Sequence, residues 1–189
     1  VLMKKGMGLT GEAMKNLGSL AQSSGGSLKD SLQEGMVASA HLSKQFGVDV
    51  KIIGKGLNAM ASDMETFGHL SVKEMAAVAT YSAKLGVEIS ALKGVMDKFD
   101  NFESAAQSAG QLAEAFGMNV DAMAMMNAEN PAERIDMLRQ SLAETGKSFD
   151  ELSRHEKKLM AQTMGMDMSS LQNAMSVDPD EMGFDDFGD

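Results

Sequence analysis

The sequence predicts an all-α protein: short to medium helices broken at glycine corners, arranged as helical hairpins or a bundle and completed by oligomerisation. Three observations carry that prediction. Apolar residues recur at helical spacing, as in Val50, Ile53, Leu57, Met60, Met64 and Phe67, whose intervals are 3, 4, 3, 4 and 3. Apolar runs stop at a glycine and a capping residue opens the next, as in Phe116-Gly117-Met118-Asn119-Val120-Asp121 and Met164-Gly165-Met166-Asp167-Met168-Ser169. Strand signals are nearly absent, because β-branched clusters such as Val48 to Ile53 are brief and sit at helix starts.

Taken in order, residues 1–27 hold Gly6, Gly8, Gly11, Gly18, Gly25 and Gly26. Each glycine inside a helix costs about 1 kcal/mol, so a Gly-rich linker or broken helix is expected there. Residues 28–100 read as a helical segment. Ser27 caps a helix that ends at Gly47, and the seam from Val50 to Phe67 spans two and a half heptads, a face meant for a partner helix. Gly54 and Gly56 lie off the seam and weaken it, which favours packing in a bundle over a free coiled coil. Gly68 stops that helix, and Ser71-Val72-Lys73-Glu74 is a capping box for a helix running to Leu85 and Gly86. A short helix with Ile89, Leu92, Met96 and Phe99 follows.

Residues 101–176 read as a helical hairpin region. Asp100 or Asn101 caps a helix bearing Phe102, Ala105, Ala109, Leu112 and Phe116, and a short apolar helix around Met125 stops near Asn127. Asn130-Pro131-Ala132-Glu133 is a strong start signal for the helix of Ile135, Leu138 and Leu142, which Gly146 ends. Ser148-Phe149-Asp150-Glu151 is a second capping box, expected to open a helix through Leu152 and Leu159 to Met164 and Gly165. A last short helix covers about 169–175. Residues 177–189 carry six acids and two phenylalanines, the composition of an acidic tail or linker.

Charge and composition exclude several classes. The net charge is −10, from 17 Lys and Arg against 27 Asp and Glu. It is uneven, because residues 1–60 carry +3 and residues 61–189 carry −13. A surface so acidic repels phosphates, so specific nucleic-acid binding is not expected. The absence of cysteine removes disulfides and thiolate chemistry, and the 19 methionines imply a soft core or a plastic groove. No apolar run approaches the roughly 18 residues of a membrane span. The chain begins at Val1 rather than methionine, which suggests a piece of a longer protein.

Motifs that carry chemistry are incomplete. Gly6-Met7-Gly8-Leu9-Thr10-Gly11 has the dinucleotide spacing but no preceding strand, and Thr145-Gly146-Lys147-Ser148 resembles a P-loop end with Ser141 where its first glycine belongs. Asp178, Asp180, Gly183 and Asp189 fall at calcium-loop positions, but Met182 fills a ligand position. His41, His69 and His155 lack metal-ligand spacing. No catalytic, cofactor or metal residue is nominated, and no enzymatic activity is expected. The candidate site residues are the seam, Val50, Ile53, Leu57, Met60, Met64 and Phe67, and the helix-stop glycines Gly47, Gly68, Gly86, Gly117, Gly146 and Gly165.

The stretch from Leu85 to Met175 resembles the helical part of phage tail tape measure proteins. The likeness rests on recurrent corners, Phe46-Gly47-Val48, Leu85-Gly86-Val87 and Phe116-Gly117-Met118, on the block from Asn130 to Arg139, and on the run from Thr145 to Leu152 leading to Ala161–Met166. The resemblance implies a virion structural protein in the tail interior, a homo-oligomer such as a trimer or hexamer. Its other partners would be tail tube, tail tip or baseplate proteins. It would help set tail length and DNA passage. Glycine corners forbid one straight rod, so a folded section, lining or plugging the tube, is the expectation. The alternative is a soluble Met-rich helical interaction or chaperone-like module.

Overall fold

The computed structural model describes residues 6–23, 25 and 27–188. All regular structure in the described residues is helical, so the chain is all-α. It divides into two compact units, Val1–Lys84 with Phe187–Asp189, and Leu85–Asp186. The boundary thus falls after Lys84 rather than near residue 100, because the Phe99 corner lies inside the second unit.

In the first unit, helices Gly11–Ser23, Leu28–Phe46 and Val50–Ala61 pack on one another. A short Met64–Phe67 turn follows, and then the Val72–Leu85 helix, every residue of which from Met75 to Ser82 is buried. The glycine-rich start is therefore helical from Gly11 to Ser23, while residues 1–5, 24 and 26 lie outside the described residues. Burial explains the departure. Met7, Leu9 and Leu17 are at most 4% exposed, and full burial of such a side chain stabilises by about 1.5–3 kcal/mol, more than a helical glycine costs.

The predicted seam is core, not a free face. Ile53, Leu57, Met60 and Phe67 are 0–1% exposed, whereas Val50 and Met64 are half-buried. Its helix is also interrupted at Ser62 and Asp63, where the Asp63 carboxylate accepts from Thr66 N and starts a new turn. Covering the seam requires Gly54, since a Cβ there would lie 1.8 Å from the Met7 carbonyl oxygen. Asn58 locks the same segment by donating to Gly8 O and accepting from Thr10 N, each at 3.0 Å. Phe187 stacks on Phe46 with ring centres 3.9 Å apart and meets the edge of Tyr81 at 5.6 Å. Residues 177–188 are consequently folded rather than a free acidic tail, with Phe184 and Phe187 both buried.

The second unit contains helices Ile89–Lys98, Phe102–Phe116, Ala122–Asn127, Pro131–Glu144, Arg154–Met164 and Met168–Met175. Asn101, Asp121, Asn130 and Asp167 each accept a first-turn amide through the side chain, as their positions predict. The Ser148 box is formed, but it closes a 3₁₀ turn, Phe149–Glu151, and stops there. Ser153 and Glu156 form a second box that opens the Arg154–Met164 helix. Two start signals five residues apart, Ser148 and Ser153, compete, and the second takes the long helix.

Candidate functional site

Of the six predicted stop glycines, Gly47, Gly86, Gly117, Gly146 and Gly165 have φ between 70° and 83°. Gly68 does not, for its φ is −66° and the turn closes through its amide on Met64 O at 2.8 Å. Behind four of these corners an apolar residue packs back, Val48, Val87, Met118 and Met166 each being at most 8% exposed. The corners fix helix directions and bring no reactive groups together.

The most concentrated polar chemistry in the second unit sits on the Pro131–Glu144 helix. Asn130 accepts from Ala132 N at 2.9 Å and Pro131 occupies the first turn, so the helix start is fixed. Five residues separate Arg134 from Arg139, about 140° around the helix, so they reach opposite neighbours. Arg134, 5% exposed, donates to Ala128 O at 2.8 Å, Met126 O at 3.1 Å and Met96 O at 3.2 Å. It thereby closes the carbonyl ends of two helices. Burial lowers its pKa, and the charge of Asp100 acts in the opposite sense.

Arg139, 2% exposed, donates to Ala174 O at 3.0 Å and to Val177 O, Met182 O and Asp136 at 2.9 Å. Asp136 in turn accepts from Phe184 N. Together these two side chains hold residues 177–184 by backbone atoms. Beside them lies an open cleft of about 410 Å³ whose charged lining is Asp121, Asp136, Glu144 and Asp185, without Lys or Arg. Asp121 is already a helix cap, accepting from Ala124 N at 3.0 Å.

The rejected motifs resolve locally. Thr10 caps a helix through its hydroxyl, accepting from Ala13 N at 3.0 Å, so residues 8–10 are the link between the helical residues 6–7 and the Gly11–Ser23 helix. Thr145 donates to Leu142 O at 2.6 Å and Gly146 turns the chain, a helix end rather than a phosphate loop. Asp178 accepts from Asp180 N and Asp186 from Gly183 N, bonds internal to the 177–188 segment; Asp189 lies outside the described residues. His41, His69 and His155 are all exposed, and among the described residues no three His, Asp or Glu side chains are grouped to hold a metal ion.

No family model, curated protein or solved structure matches this chain. Among the described methionines only Met123 and Met168 are exposed; the others are buried or half-buried. Arg134 and Arg139 are the site residues that local sequence reading passes over. One signal was available for them. The chain uses fourteen lysines and three arginines, and two of those three stand on a single helix, where a planar donor fork suits carbonyl capping better than an ammonium.

Proposed function

We propose that this chain is a folded section of a phage tail structural protein of the tape-measure kind. In this reading it lies inside the tail, lines or plugs the tube, and has no catalytic activity of its own. The observation that carries the reading is a coincidence of boundaries. The stretch bearing the resemblance, 85–175, falls within the compact unit Leu85–Asp186, and one of the blocks that carry it, Asn130–Arg139, supplies the two arginines that tie helices of that unit together. The partners in this reading are further copies of the chain and tail tube, tip or baseplate proteins. No helix of the described residues is long and apolar enough to cross a membrane.

Gold-labelled antibody against the second unit, applied to opened tailed particles from cells that make the chain, tests this reading. Label within or at the end of tails is expected. Its absence from purified particles, with the chain recovered free in the lysate, would sink the virion reading.

A further inference from the structure

Residues 177–186 are the last segment of the second unit and carry five acids and no base. The rest of that unit, residues 85–176, carries fourteen acids against eight bases, so a segment of charge −5 is docked on a body of charge −6. Several contacts seat it. Arg139 holds the carbonyls of Val177 and Met182, Asp136 holds the amide of Phe184, and Phe184 is buried. Opposing them, Asp185 lines the open cleft together with Asp121 and Glu144 of the body. Like charges facing one another across solvent repel over a range set by dissolved salt.

We propose that residues 177–186 are an ionic-strength-controlled strap. At physiological salt the cleft carboxylates are screened within about 8 Å, and the Arg139 and Phe184 contacts keep the strap seated. At about 0.01 M salt the screening length grows to about 30 Å, Asp185 and its neighbours repel the body, and the strap lifts while the helices beneath stay folded. Lifting uncovers the Pro131–Glu144 face, with the Arg139 guanidinium freed from two of its carbonyl partners. The inference stands on the charges and geometry of this unit and does not depend on the proposed function.

Hydrogen exchange read by mass spectrometry on the full chain, at about 10 mM and about 150 mM sodium chloride, tests it. Amides of residues 181–186 should exchange at least about threefold faster at the lower salt, while those of residues 135–142 keep their rate. Glu144→Gln with Asp185→Asn, both exposed positions, should abolish the salt dependence and leave the strap seated. Equal rates at the two salts overturn the proposal. So does parallel acceleration of 135–142, which would mean that the unit opens as a whole, or a salt response unchanged in the double variant.

Discussion

At the scale of single residues, closest approach decides more than conformational preference. Gly94 has ordinary helical backbone, and propensity alone would make alanine there stabilising by about 1 kcal/mol. A Cβ at Gly94, however, would lie 1.8 Å from the Gly165 carbonyl oxygen. Gly94→Ala should therefore cost about 1–3 kcal/mol or more, as overpacking does. Gly117→Ala meets nothing within 4 Å and has only its φ of 70° against it, so about 1 kcal/mol is expected. Urea denaturation of both variants checks the ranking, and Gly117→Ala proving the worse would refute it. Ser82 runs the other way. Its hydroxyl is buried without a hydrogen-bond partner, so Ser82→Ala should raise stability by roughly 1 kcal/mol in the same assay. Arg139→Met removes the donors from three backbone carbonyls and should destabilise by about 3–5 kcal/mol, and near-native stability of the variant would refute this.

At the scale of elements, helix starts and stops were legible because their physics is local. Asn101, Asn130 and Asp167 act on amides two or three residues away, so a short window of sequence contains the whole interaction. Arg139 acts on carbonyls 35 to 43 residues away, and Gly54 on a backbone segment beginning at Met7, distances over which periodicity says nothing. The seam misled for the same reason. Its spacing announced a buried face correctly, but only the folded chain reveals that its own neighbouring helices, Gly11–Ser23 and Leu28–Phe46, do the covering. Caps also make pH predictions with a definite sign. The Glu156 carboxyl is held below its usual pKa, chiefly by the Ser153 backbone hydrogen bond. For Asp167 partial burial pushes upward, but hydrogen bonds from Ser170 outweigh it and the net shift is downward. A carboxylate whose folded pKa is depressed contributes stability above its unfolded pKa of about 3.9–4.3, lost as pH falls through the folded value. Carboxyl resonances of both residues should thus titrate below those of an unfolded peptide, and titration at the ordinary value would remove the capping contribution. Fraying of Arg154–Met164 and Met168–Met175 should begin only below that ordinary range.

At the scale of the molecule, charge is the property that separates the two units. The second carries nineteen acids against eight bases, two of which, Arg134 and Arg139, are buried. Its outward face therefore offers phosphate little but repulsion, and a duplex should bind the chain no more tightly than about 10⁻⁴ M at physiological salt. A fluorescence anisotropy titration checks this, and saturation at micromolar protein that weakens steeply with salt would point to the lysines of the first unit instead. Composition adds an optical consequence. Without tryptophan and with Tyr81 as its single tyrosine, the chain's tyrosine-band emission arises from one ring, buried against Phe187. An emission trace is then a single-site record of whether the chain's last aromatic is in place, free of the averaging that complicates most proteins.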